Sequence, residues 1–370
     1  ITMRITNVEA ITIHIPLPKP VWVGKRELDF RDHSLVKIHT DEGLIGWGHT
    51  FGYGSARIVS QLTREILQPY LLGQDPLDNE RLWESMFYGT QQFGRKGIVV
   101  RGISAVDIAL WDIKGQAAGL PLHKLLGGYR DQVEVYVSGG YYRRGEGLKE
   151  LQQEMETWAA RGFRGVKMRV GMLTIKEDME RIRVARKALG DEAYLMLDAE
   201  YLWDDANQAI TAIRHFEEFN PYWIEGPAPL NKLRTHAEIR RAVSTPLATG
   251  GQEYTRWGFY EWIREGAIDI IQADVIVVGG ITEWLRVAHI ADIFELKVSP
   301  HANWNLHSHL VAATPNALFV EYFDPAAEIK VFDKVVKDPV VPVDGLITPP
   351  QKPGYGVSFD EDRIEEFRAD

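Results

Sequence analysis

The 370-residue chain contains no cysteine. Disulfides, thiolate nucleophiles and cysteine-ligated zinc are excluded together, and the composition fits a reducing compartment, the cytoplasm. A basic excess is missing as well: 42 Lys+Arg stand against 52 Asp+Glu, a net charge of -10 at pH 7. Binding to a phosphate backbone needs a basic face, so no nucleic-acid partner is expected. No apolar run approaches the roughly 18 residues of a membrane helix, so no membrane partner is expected either. Ile1-Thr2-Met3-Arg4 does not open a basic stretch followed by an apolar one, the pattern of a secretory signal. Low-complexity tracts and helical repeats are also lacking. What is there, 45% hydrophobic and 25% charged residues, is the composition of an ordinary globular protein. The length allows two domains.

The N-terminal part opens as a strand, with Ile5, Val8, Ile11 and Ile13 set among polar neighbours. Pro16, Pro18 and Pro20 then read as the start of an irregular segment reaching about Asp32. An irregular stretch of that length inside a compact domain reads as an active-site lid. It carries Trp22, Lys25 and Arg26 as candidate substrate contacts. Residues 34–39 and 44–47 form a hairpin over Thr40-Asp41-Glu42-Gly43, with Asp and Gly where a turn needs them. Gly52-Tyr53-Gly54-Ser55 is a second loop; no Gly-Lys-Ser/Thr follows, so it is not a phosphate cradle. Helical patterns fill 56–72, 79–86 and 102–118, the last stopped by Gly119-Leu120-Pro121.

From residue 133 to 323 eight short apolar runs begin near 133, 165, 194, 222, 247, 268, 297 and 318, with helical segments between them. Buried parallel strands read this way, and eight of them alternating with helices predict a TIM-type barrel. Most of the runs end in an ionisable group, which is how such a barrel builds its active site. Asp198, Glu225 and Glu253 fall at three successive ends. Three convergent carboxylates need a counter-charge, and all-oxygen ligation suits Mg²⁺ or Mn²⁺ better than zinc. His301 follows one strand and Asp274 ends the one before. An Asp on one imidazole nitrogen fixes the tautomer and leaves the other as a general base. Lys167 and Arg169 alternate along a strand and face the same side. Lys167 is a second candidate base, and Arg169, which cannot deprotonate, a clamp for a carboxylate. His307 and His309 read as structural.

These residues, with 103–128 and the Gly46-Trp47-Gly48 hairpin, resemble the enolase superfamily, mandelate racemase subgroup. Lys-x-Arg at 167–169, Asp198, Glu225, the Asp274/His301 pair, Glu321 and Ala312-Ala313-Thr314-Pro315 carry the resemblance. It implies an α/β fold: a modified (β/α)₇β TIM barrel over 128–325, an α+β capping domain over 1–127, and a segment, 326–370, returning to the cap. It also implies that Mg²⁺ binds a substrate carboxylate and stabilises the enediolate left by α-proton removal. A protonated Glu321 would donate to the enolate oxygen, and the chain would form a symmetric homo-oligomer, an octamer or a dimer. Glu200, His49 and Trp304 join the substrate contacts. Three departures stand out: Lys-x-Arg replaces Lys-x-Lys, Gly250-Gly251 replaces the Gly-Glu of the third ligand, and His49 follows Gly-Trp-Gly where an acid is common. Glu253 is the nearest carboxylate to the missing ligand. A dehydratase of sugar acids, using His301 or Lys167 as base, is the expectation. A racemase, epimerase or cycloisomerase using the same enediolate is the alternative; a non-catalytic acid-binding barrel would have no use for the whole residue set.

Overall fold

The computed structural model describes residues 3–370. Strands β1 (Ile5–Val23), β2 (Arg26–Thr40) and β3 (Ile45–Phe51) form an antiparallel sheet in that order. The stretch expected to be irregular is therefore a long hairpin: β1 and β2 pair out to Val23 opposite Arg26, with one irregularity between Pro16 and Val21. The prolines mislead because β1 is an edge strand, where a missing N–H on the open side breaks no ladder bond. Helices α1 (Ala56–Leu62), α2 (Asn79–Thr90) and α3 (Ile98–Ala118) complete the cap. The single helical pattern expected over 56–72 is broken into α1, a π turn over Thr63–Leu67 and a 3₁₀ turn over Gln68–Tyr70. Apolar residues lie on most faces of α3, which is buried against the sheet and the barrel.

The eight apolar runs are β4 (Val133–Ser138), β5 (Gly165–Arg169), β6 (Tyr194–Asp198), β7 (Trp223–Glu225), β8 (Leu247–Thr249), β9 (Ile270–Ile271), β10 (Lys297–Val298) and β11 (Val320–Tyr322). They pair in parallel from β4 round to β10, and β11 pairs with β4. The ring closes where Val298 N donates to Asn316 O (3.1 Å) and Leu318 N to Val298 O (2.8 Å). α-Helices follow the first seven of these strands, whereas β11 leads only into short 3₁₀ turns before the chain leaves the barrel, which gives (β/α)₇β. Tyr136, Met196, Trp223, Ala248, Ile270 and Phe319 fill the barrel's interior, so it is a packed core and not a pore. After β11 the chain crosses back to the cap: Tyr355 N donates to Asp112 Oδ1 (2.8 Å) and Ala369 N to Thr12 O (2.9 Å). Among the described residues no helix is long and apolar enough to cross a membrane.

Candidate active site

Strand register brings the first charged residues together. Asp198 and Glu225 are direct partners on β6 and β7, and Arg169 on β5 is the partner of Asp198. Lys167, two residues earlier on β5, lies on the same face. It is fully buried, with Nζ 2.7 Å from Glu225 Oε2, 2.7 Å from Glu321 Oε1 and 3.5 Å from Asp198 Oδ2. Burial alone would push its ammonium toward neutrality, but Glu225, Glu321 and Asp198 outweigh it and hold the charge in place. Arg169 reaches Asp198 Oδ2 through Nη1 (3.0 Å) and Glu200 Oε1 through Nε (2.8 Å). Burial opposes the charge of Glu225, and the neighbouring Asp198 adds to that, so its carboxyl is pushed up to about 8. Such a cluster is short of positive charge.

Beyond β6 the chain bends through two left-handed residues, Glu200 (φ 45) and Tyr201 (φ 62). This sparsely populated geometry turns Glu200 back over the cavity, where its second oxygen accepts from Gly24 N at the tip of the β1–β2 hairpin. A second left-handed pair, Ala302 (φ 52) and Asn303 (φ 47), follows His301. It lets Ala302 N donate to Glu321 Oε2 (2.6 Å) while Asn303 Nδ2 donates to both oxygens of Asp274 (2.9 and 3.0 Å). Asp274 Oδ2 lies 2.9 Å from His301 Nδ1. With Nδ1 so engaged, Nε2 is the free nitrogen of the ring. Glu321 is held ionised: burial would raise it, but Lys167 and His301 lower it further. The protonated Glu321 that the resemblance implies is not what this arrangement favours.

One cavity of about 260 Å³ collects Asp198, Glu200, Glu225, Arg169 and His301. Glu253 is not among its walls. Its Oε1 accepts from Lys96 Nζ (2.6 Å) and Tyr254 N (2.8 Å), and its Oε2 from Trp262 Nε1 (3.0 Å). The expectation that Glu253 ligates a metal is corrected accordingly. No side chain could easily stand at Gly251 instead, because a Cβ there would lie 2.9 Å from Cγ of His301. Among the described residues no three His, Asp or Glu side chains form a ready cation cage. Mg²⁺, however, is commonly held by one or two carboxylates with water completing its shell. Asp198 and Glu225, buried, adjacent and short of positive charge, fit that requirement, with Glu200 as the third carboxylate of the cavity.

The other expected substrate contacts are corrected too. His49 is buried behind the cavity, stacked on Phe332 at 4.1 Å and pushed down to about 3 by burial. Trp304 donates to Val340 O (3.0 Å) and packs on Tyr322. At the hairpin tip Val23 and Gly24 reach the cavity while Trp22, Lys25 and Arg26 do not. Lys25 lies 3.8 Å from the exposed Asp204, and Arg26 donates to Tyr53 O (3.1 Å). His307 and His309 are structural: His307 Nε2 accepts from Val275 N (3.1 Å), and His309 Nδ1 from His123 N (3.2 Å). The cavity also takes in Tyr53, Tyr141, Tyr201, Gln252, Arg31 and Lys330. Only Tyr53, in its two-glycine loop, and Arg31, in the proline-rich segment, lay in stretches with a lid or loop signal.

A cap, a (β/α)₇β barrel and carboxylates facing a His–Asp pair at its mouth define a known class. Residues 7–127 match the family model of the mandelate racemase/muconate lactonizing enzyme N-terminal domain, and residues 150–363 that of the enolase C-terminal domain-like family. The chain belongs to the mandelate racemase branch of the enolase superfamily. It is similar to arabinonate dehydratase of Saccharolobus solfataricus, 33% identical over 341 residues covering 90% of each chain. D-galactarolactone cycloisomerase of Agrobacterium fabrum is 30% identical over 386 residues, 99% of both chains. The crystal structure of L-talarate dehydratase from Polaromonas sp. JS666, complexed with Mg and L-glucarate, matches with a TM-score of 0.92 and 31% identity, over 100% of this chain and 98% of that one.

Proposed function

We propose that the protein is a magnesium-dependent sugar-acid dehydratase. It removes the proton α to a carboxylate and expels the 3-hydroxyl, giving a 2-keto-3-deoxy acid. The observation that carries this reading is the His301–Asp274 pair opening onto the same cavity as Asp198 and Glu225. These two carboxylates would hold the cation, with Glu200 as the third. When bound, Mg²⁺, or Mn²⁺ in its place, neutralises a substrate carboxylate and the charge that grows on it as the α-proton leaves.

The protein's own groups do the rest. Asp274, itself fixed by Asn303, orients the imidazole and stabilises it once protonated. His301 Nε2 takes the α-proton, and the C–H electron pair becomes the new C–C double bond as the C3–O bond breaks. The proton on Nε2 is delivered to the departing hydroxyl, which leaves as water, and the remaining C2–C3 enol tautomerises to the keto acid as its O–H proton is lost and C3 gains one. Lys167 is held as an ammonium by Glu225, Glu321 and Asp198 and Arg169 cannot act as a base, so the site is built around a single imidazole. Glu321 anchors Ala302 N and Lys167, keeping the turn that carries His301 in place.

Replacing His301 with Asn should lower keto-acid formation at least ~10³-fold, with the fold intact by circular dichroism. α-Proton exchange in D₂O should fall with it. Unchanged turnover would remove His301 from the mechanism. A cycloisomerase or epimerase reading has support in the 99% coverage by D-galactarolactone cycloisomerase. Deuterium at the α-carbon of a product that keeps its 3-oxygen would select it over dehydration.

A further inference from the structure

Two cations in the cavity have no part in that chemistry. Arg31 comes from β2 of the cap and is 6% exposed, with Nε donating to Ile329 O (3.0 Å). Lys330 comes from the segment after β11, its ammonium 5.0 Å from the ring centre of Phe51 and 5.5 Å from that of Phe323. Lys167 and Arg169 are matched by Asp198, Glu200, Glu225 and Glu321. Among the described residues neither Arg31 nor Lys330 has a carboxylate within ion-pair distance. Burial, reinforced by the charge of Arg31, pushes the Lys330 ammonium down to about 7. Two neighbouring positive charges in a partly desolvated cavity are unfavourable unless an anion joins them.

Their place in the ring says which anion. Around the closed barrel of eight strands, β6 and β10 stand four places apart, as do β7 and β11, so each pair is diametrically opposed. Asp198 and Glu225 end β6 and β7; Lys330 lies against Phe323, immediately beyond β11. The unmatched cations therefore stand across the mouth from the carboxylates. A bound acid with one end at Asp198 and Glu225 would carry its other end toward Lys330. The cavity of about 260 Å³ has room for a six-carbon chain.

We propose that Arg31 and Lys330 form a second carboxylate seat, so that the enzyme prefers sugar diacids to the corresponding monoacids. This rests on the sugar-acid reading of the site. Arg31 offers planar paired donors and Lys330 a point charge, a combination that discriminates a carboxylate from the neutral hydroxymethyl end of a monoacid.

The test measures binding without turnover. Galactarate and D-glucarate, each beside its monoacid (galactonate, gluconate), are titrated calorimetrically into Mg²⁺-loaded His301→Asn protein, with and without Lys330→Met. We expect the tighter-binding diacid to exceed its monoacid by about 30-fold, roughly 2 kcal/mol by the affinity relation. Lys330→Met should shrink the ratio to within about 3-fold while the monoacid's affinity is unchanged, and Lys330→Arg should preserve the ratio. Equal binding of diacid and monoacid overturns the seat and leaves the sugar-acid reading standing, as does a Lys330→Met variant that weakens both alike. Binding of none of the four overturns both. A preserved diacid ratio with no keto acid from the parent enzyme keeps the seat and rejects dehydration.

Discussion

Past the end of β8 the chain turns through Gly250 (φ 114), and the next carboxylate, Glu253, leaves the cavity for Lys96 and Trp262. Distance along the sequence could not reveal this, because the direction of a side chain beyond a strand end depends on the turn and not on the spacing. The consequence is measurable. Glu253→Gln should leave Mg²⁺ affinity within about 3-fold of the parent and cost about 1 kcal/mol of stability through its bond with Trp262. Glu225→Gln should weaken Mg²⁺ at least ~10-fold, since an outright ligand loss exceeds the effect of a supporting partner. Calorimetric Mg²⁺ titration of both variants decides it. A large loss in Glu253→Gln would return that residue to the site. At this scale Asp198, Glu225, Asp274 and His301 were legible because each directly ends or follows a strand. Arg31 and Lys330 were not, since they reach the cavity from the middle strand of another sheet and from a segment without periodicity.

The hairpin of β1 and β2 shows the same limit for whole elements. Its prolines look like breakers in sequence, yet they lie on an edge strand that tolerates them. Its length pointed to this segment as a neighbour of the site, and Val23 and Gly24 at its tip do line the cavity, but its cations turn away to Asp204 and Tyr53. In the fold the tip is tied down at three points: Gly24 N on Glu200, Arg26 on Tyr53 O, and the exposed Lys25 near Asp204. The exposed pair contributes little. The bond of Gly24 to Glu200 joins the cover to the carboxylate cluster itself, so occupation of the cavity should stabilise the tip. Amide exchange over residues 21–27 should slow at least several-fold when Mg²⁺ and a bound sugar diacid are added to His301→Asn protein, while β3 stays unchanged. Exchange at the tip that ignores the ligand would show the hairpin to be a static wall. The barrel strands were readable because nearly all of their residues are buried, which leaves short apolar runs between polar helices.

For the whole molecule, the joint between cap and barrel is the decisive feature. Helix α3 meets the chain over 279–282: Ser104 Oγ accepts from Gly279 N (2.9 Å), and Asp107 accepts from Thr282 N (2.9 Å) and Thr282 Oγ1 (2.6 Å). The contact is so close that a Cβ at Gly280 (φ 87) would lie 2.3 Å from Asp107 Oδ2, so only glycine fits. Asp107 is fully buried, and burial pushes its carboxyl up to about 7, against the pull of its bonds to Thr282. In the unfolded chain the same group titrates near 4. A carboxyl raised by folding binds its proton more tightly in the native state. Its stabilising contribution is therefore complete below about pH 4 and is lost as pH rises toward 7. Ionising it would weaken the joint by an amount on the order of a few kcal/mol. Asp107→Asn, which mimics the protonated acid and still accepts from Thr282, should reduce the fall in thermal midpoint between pH 5 and pH 7.5. Thermal scans across that range compare the two proteins, with the difference between their slopes assigned to Asp107. Parallel slopes would mean that Asp107 stays ionised in the fold and that the cap is docked on a charge, with Thr282 and the charge of Arg286 supplying its compensation.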